Sequence, residues 1–198
     1  VKELVDGPGF EHTFRAQVDI FPLKKSYSLS DTIWLQTDLP AKFIFDTKTN
    51  QTVFADTGSI NFGASFNEFG TYIINPPNGF CDVITPAGIN TNRQLSQWST
   101  SGSVDNYGCG QPNYTVRIGF KPKQTGTYFL SLNKDVLFGS CNNKIVPYYS
   151  TISFQYKNVD LNLDVFNSLS KNDKGGKDGI KFYTDKINTR EVFVFRVE

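Results

Sequence analysis

Apolar and polar residues alternate with a period of two along much of this chain. Over residues 13–21, Phe14, Ala16, Val18 and Ile20 alternate with Arg15, Gln17 and Asp19. That is the pattern of a strand with one buried face, and Pro22 ends it. A polar turn at 26–31 leads into a run of β-formers, Thr32-Ile33-Trp34-Leu35-Gln36-Thr37, where Trp34 is expected to pack in the core. Strands are also predicted at 42–45, 71–74, 80–84 and 151–156, and at 59–66, where Ile60, Phe62, Ala64 and Phe66 share a face. Tyr114, Val116, Ile118 and Phe120 alternate with Thr115, Arg117 and Gly119. The turn at 121–126 then leads to a strand at 127–132, and two strands joined this way are expected to be antiparallel neighbours. The last strand, 191–197, carries Val192 and Val194 on one face and Phe193, Phe195 and Val197 on the other. Apolar residues on both faces predict a central strand.

Two segments depart from this period. In 158–171, Leu161, Val165, Phe166 and Leu169 fit a helical face that Asn158 or Asp160 could cap, while Leu161, Leu163 and Val165 also fit a strand. A short helix is the favoured reading, followed by a polar, glycine-containing loop at 171–179. From residue 85 to 113 the alternation dissolves, leaving Leu95 and Trp98 as bulky apolar anchors among glycines and prolines. This stretch reads as a long irregular loop insertion, and loops of that length are often functional. Together these patterns predict an all-β fold: an antiparallel β-sandwich, immunoglobulin-like but elaborated by the insertion and one short helix. A single domain over 10–198 would follow a leader at 1–9, where Asp6-Gly7-Pro8-Gly9 breaks regular structure.

Composition supports the fold and narrows the function. The 18 Phe and 9 Tyr suit pleated, half-buried surfaces. Twenty basic and 19 acidic residues give a net charge of +1, which supplies no general attraction to nucleic acid. The chain has no methionine and starts at Val1, so it is expected to be a processed or trimmed product.

Candidate chemistry is sparse. His12 is the only histidine, stands beside the leader, and has no nucleophile motif nearby. Asp160-Leu161-Asn162-Leu163-Asp164 spaces oxygen ligands in a way that calcium could use, but leucines fill the intervening positions, and outward polar residues on an amphipathic element are the favoured reading. Asn172-Asp173 and Asp178-Gly179 bracket Lys174-Gly175-Gly176-Lys177, which reads as a solvated hairpin loop. No catalytic residue, cofactor site or metal site is assigned. Cys81, Cys109 and Cys141 all lie in turn-like surroundings without a CxxC. One disulfide is expected, Cys81–Cys109 or alternatively Cys109–Cys141. Trp98 in the insertion, with Tyr107 and Tyr114 near it in sequence, is the candidate binding surface: an aromatic platform for a partner protein or a sugar ring.

Residues Lys24 to Leu35, with Tyr27, Asp31, Thr32, Ile33 and Trp34 in a Y-x-x-x-D-T-I-W run after Pro22, resemble the start of small surface lipoproteins from Bacteroidota. Pro122 to Tyr128, containing Gly126-Thr127-Tyr128, is similar to their P-x-x-x-G-x-Y strand approach, which immunoglobulin-like domains share. Cys141 falls where such proteins place a cysteine after that strand. The resemblance implies an exported outer-membrane lipoprotein at the cell surface, held by an acylated cysteine upstream of Val1 and touching the membrane only through that anchor. It also implies an accessory subunit of an outer-membrane machine for secretion, uptake or assembly, with an outer-membrane or surface protein as partner. The expected function is therefore a non-enzymatic interaction module. A carbohydrate-binding surface domain is the alternative and a hydrolase using scattered carboxylates the third reading.

Overall fold

Strands with one apolar face must bury that face against another layer, and here they do so by stacking as two sheets. The computed structural model describes residues 13–54, 60–69, 79–86, 91–95, 99–107, 113–132, 135–137, 150–157 and 162–198. In chain order the elements are β1 (Thr13–Phe21), β2 (Ser26–Tyr27), β3 (Ile33–Leu39), a 3-10 turn (Pro40–Lys42), β4 (Phe43–Asp46), β5 (Gln51–Phe54), β6 (Ile60–Glu68) and β7 (Cys81–Ile84). They continue with β8 (Thr91–Leu95), β9 (Ser99–Tyr107), β10 (Tyr114–Pro122), β11 (Gly126–Leu132), β12 (Asp135–Leu137), β13 (Ser150–Tyr156), α1 (Leu163–Ser168), α2 (Gly176–Asn188) and β14 (Val192–Val197). The first sheet has the order β12-β13-β1-β3-β10-β7, with the β4–β5 hairpin attached to β1. The second has the order β2-β14-β11-β6-β9-β8. The predicted all-β sandwich is thus the observed architecture. Its pairings are antiparallel apart from β1 with β13 and β14 with β2, which are parallel.

The inward faces interlock through aromatic rings. Phe66 of β6 lies 4.8 Å from Tyr128, 5.5 Å from Phe195 and 6.2 Å from Phe120 of the opposite sheet, measured between ring centroids. Phe62 makes an edge-to-face contact at 5.0 Å with Phe154, again across the sandwich. Gly102 of β9 sets how closely the sheets approach at that end. A Cβ there would lie 2.6 Å from Cγ1 of Val83 and 2.8 Å from Cδ1 of Ile118.

A second apolar cluster lies on the outside of the second sheet. Val192 and Val194 of β14 and Phe129 of β11 face Val165, Phe166, Tyr183 and Ile187 of the two helices. This explains the double-faced pattern of β14. It has only the two-residue β2 on one side, and its outer face is buried because helices cover it.

Several sequence-based expectations need correction. The stretch 85–113 contains two strands, β8 and β9, which extend the second sheet beside β6. Their residues are polar or small (Thr-Asn-Arg-Gln and Ser-Thr-Ser-Gly-Ser), so no hydrophobic alternation marks them. Strands β10 and β11 are not neighbours. β10 pairs with β3 and β7, β11 with β6 and β14, and the turn between them crosses from one sheet to the other. Tyr128 closes that arch by donating its hydroxyl to the Gln124 carbonyl at 3.2 Å, a tyrosine corner that the Gly126-Thr127-Tyr128 motif encodes. Burial raises the Tyr128 pKa and keeps the donor protonated.

At 158–171 the helical reading holds, as α1, but the expected loop at 171–179 runs into a second helix. α2 begins at Gly176, after Gly175 adopts φ +78°. The three glycines suggest a loop, yet Gly179 is required inside the helix: a Cβ there would meet the Lys174 carbonyl oxygen. The expected strand at 71–74, the leader at 1–9 and Cys109 and Cys141 lie outside the described residues. Cys81 is not in a turn; it opens β7 and is buried.

Gly102→Ala should destabilise the fold by about 1–3 kcal/mol, because the added methyl overpacks against Val83 and Ile118. Urea unfolding checks this. An unchanged midpoint would mean that the sheets separate there without penalty.

Candidate functional site

The two outer faces of the sandwich differ. Helices cover part of the second sheet's outer face, whereas no described element packs on the outer face of the first. Side chains on that face come from alternate residues of β1, β3, β10 and β7, and the register fixes their rows. One row runs Phe21–Trp34–Gly119–Ile84 and the next runs Asp19–Gln36–Arg117. Phe21 is 65% exposed, while Trp34 and Ile84 are half-buried.

Trp34 therefore departs from its expected place in the core. Ile33, Leu35 and Thr37 point inward, and Trp34 shares its side of β3 with Gln36 and Asp38. Its ring lies over the strand next door because the residue opposite is Gly119. A Cβ on Gly119 would lie 2.8 Å from Cζ3 of the indole and 2.9 Å from Cγ2 of Thr32. An aromatic ring covering a cross-strand glycine shields that glycine's backbone and fixes the ring. Arg117, diagonal to Trp34, places its guanidinium carbon 4.1 Å from the ring centroid. Such a stack contributes about 0.5–2 kcal/mol and orients the guanidinium. The Arg117 Nε is buried without a hydrogen-bond partner.

Carboxylates on this face are already engaged. Asp19 pairs with Lys157 at 2.6 Å, Asp82 with Lys123 at 2.7 Å, and Asp38 accepts a hydrogen bond from the Thr115 hydroxyl at 2.5 Å. Arg15, Arg117 and Lys121 have no carboxylate partner among the described residues. At the other end of the face Phe45 stands opposite Arg15, and the rings of Phe43 and Phe54 lie 5.6 Å apart on the β4–β5 hairpin.

The turn before β3 delivers Trp34 to this face. Asp31 accepts hydrogen bonds from the Ser28 backbone N–H at 2.8 Å and from Lys24 Nζ at 3.0 Å. The Ser28 N–H, followed by Lys24, holds the Asp31 carboxyl below its ordinary pKa.

Of the residues singled out from sequence, Tyr107 and Tyr114 belong to different sheets. Trp98 and His12 lie outside the described residues. Tyr107 ends β9 in the second sheet, opposite Ile60, whereas Tyr114 opens β10 in the first, opposite Leu39. In the proposed oxygen-ligand run, Asn162 is buried and donates Nδ2 to the Val194 carbonyl, and Asp164 pairs with Lys25 at 2.9 Å. Asp160 is outside the described residues, and among those described no three metal-ligating side chains cluster.

The site residues missed from sequence are Arg117 and Gly119. The available signal was parity: Trp34 alternates with its apolar neighbours and shares a side with Gln36. The partner strand could not be read from this alternation.

Gly119→Ala should push the Trp34 ring off β10 and cost about 1–3 kcal/mol. In a Trp98→Phe background, where Trp34 is the sole tryptophan, its emission should shift to longer wavelength, and an unchanged spectrum would refute the packing. The lowered Asp31 pKa gives a pH signature. Its stabilisation is complete above the unfolded-state value of about 3.9 and is lost as pH falls through the folded-state value. Asp31→Asn should therefore be less stable than wild type at neutral pH, with the gap closing in acid. A gap independent of pH in thermal melts would contradict this origin.

No family model matches the chain, and no curated protein matches it. Three solved cohesin structures are similar. A type II cohesin domain from the cellulosome of Acetivibrio cellulolyticus shows 10% identity and a TM-score of 0.35, over 71% of this chain and 92% of that one. The type II cohesin dyad of the adaptor ScaA scaffoldin from the same organism shows 8% identity and a TM-score of 0.33; the match covers 72% of this chain and 46% of the dyad chain. A non-cellulosomal cohesin from the archaeon Archaeoglobus fulgidus shows 9% identity and a TM-score of 0.31, over 81% of this chain and all of that one.

Proposed function

We infer that this protein is a non-enzymatic binding module that docks a partner protein on the outer face of its first sheet. One observation carries the reading: Arg117 is stacked 4.1 Å above Trp34 on a sheet face that no described element covers. Tryptophan and arginine are the side chains that most often dominate protein–protein binding energy, above all where they are rigid before the partner arrives. Gly119 and the β3–β10 register supply that rigidity. Phe21 and Ile84 extend the apolar row, and Gln36 and Asp19 give it a polar border. The engaged carboxylates of this face suit recognition better than proton transfer.

The finer setting is a cell-surface, outer-membrane lipoprotein serving as accessory subunit of a larger envelope complex. Its support is the Y-x-x-x-D-T-I-W run, in which Asp31 and Trp34 have the structural tasks described above.

The full-length protein, solubilised from its native cells in mild detergent, should co-purify with a protein partner. Trp34→Ala and Arg117→Gln should each release that partner while leaving the fold intact by circular dichroism. A wild-type protein that elutes alone, or a partner retained by both variants, would remove the reading.

A further inference from the structure

The charges on this face indicate what kind of protein it fits. This inference rests on the protein-binding reading and adds the partner's chemistry. Three cations, Arg15, Arg117 and Lys121, have no carboxylate partner among the described residues, whereas Asp19 and Asp82 are paired with lysines and Asp38 accepts a hydrogen bond from the Thr115 hydroxyl. Asp38, held only by a neutral hydroxyl, keeps its charge, so among the described residues the face carries more unpaired positive than negative charge. Arg117 is the best placed of the three. Stacking on Trp34 fixes its plane, and its guanidinium has no carboxylate partner among the described residues, which leaves it able to take one. The backbone of the apolar row of Phe21, Trp34 and Ile84 lies two residues further along the strands, about 7 Å from that of Arg117, with the Trp34 ring reaching back to the guanidinium.

We propose that the partner is an acidic polypeptide that sets an Asp or Glu carboxylate on Arg117 and an apolar side chain on the Phe21–Trp34–Ile84 row. Residues i and i+2 of an extended segment, or i and i+4 of a helix, have that separation. An anionic membrane or a polyanionic glycan fits less well. Such ligands favour a continuous basic patch, whereas here Asp19, Asp38 and Asp82 interrupt the cations and aromatic residues separate them. A second copy of the same face also fits poorly, because unpaired cations would meet unpaired cations.

Random dodecapeptides displayed on phage, panned against the intact protein and against Arg117→Glu and Trp34→Ala, test this. The wild-type protein should enrich peptides with Asp or Glu spaced two or four residues from an aromatic or aliphatic residue. Synthetic peptides from that pool should bind Arg117→Gln about tenfold or more weakly. Arg117→Glu should instead enrich Lys and Arg. If the enriched pool depends on Trp34 but carries no acidic excess, the charge assignment falls and the docking face stands. If acidic peptides bind Arg117→Gln undiminished, the role of Arg117 falls. If no peptide is enriched, while phosphatidylglycerol vesicles bind in an Arg117-dependent way, the face is a membrane surface and both readings fall. Enrichment of nothing, with no vesicle binding, also removes both.

Discussion

Closing the two sheets on Phe66 is the contact on which the rest of the molecule depends. Its ring touches Tyr128 and Phe195 within its own sheet and reaches Phe120 of the other. Aromatic rings of this size bury large areas only when the opposing sheet is in the right register. That requirement holds β10 in place against β6 and β11, and β10 in turn aligns β3. Trp34 faces Gly119 because Ile33, Leu35, Val116, Ile118 and Phe120 all satisfy the core on the opposite side of the same strands. The surface feature is a consequence of the interior one, since a strand shifted by one residue would turn Trp34 inward and Leu35 out.

The two outer faces meet the same physical problem differently. On the second sheet, β14 and β11 present Val192, Val194 and Phe129, and the chain supplies α1 and α2 to cover them. The helices are tied down by polar contacts as well: Asn162 to the Val194 carbonyl, Arg196 to Ser168 at 2.9 Å, and Lys25 to Asp164. On the first sheet, apolar residues are interspersed with charges, so solvent is tolerated there. No described helix packs on this face, which carries the stacked Trp–Arg pair and cations without a carboxylate partner among the described residues.

The parts of this fold legible in the sequence were those where one physical requirement dominates. In β1, β3, β6, β10 and β14 burial of alternate residues dominates, and each left its alternation in plain view. β8 and β9 did not, because Gly102 must be small to admit Val83 and most of the residues around it are polar or small, so no apolar alternation appears. α2 was hidden by its glycines, of which Gly175 and Gly176 take positive φ at its start and Gly179 makes room for the Lys174 carbonyl, although Tyr183 and Ile187 at helical spacing mark its buried face. The turn before Tyr128 looked like a hairpin because turn residues alone do not say whether the chain returns to its own sheet. Of the site, Trp34 was visible as a residue but not by its direction. Arg117 and Gly119 acquire meaning only from the strand opposite.

The parallel pairing of β1 with β13 also constrains how the chain reaches this state. Ser153 binds the Phe14 carbonyl across 139 residues of sequence, and β14, the last strand, pairs with β2 near the start. Neither sheet can be completed until the C-terminal strands are available. Such distant pairings make folding slow, and an emerging nascent chain would expose its aromatic strands throughout synthesis. Neither sheet of such a chain can close while β13 and β14 are still to be made, so its earlier aromatic strands must wait, unpaired, for partners that follow them by more than a hundred residues.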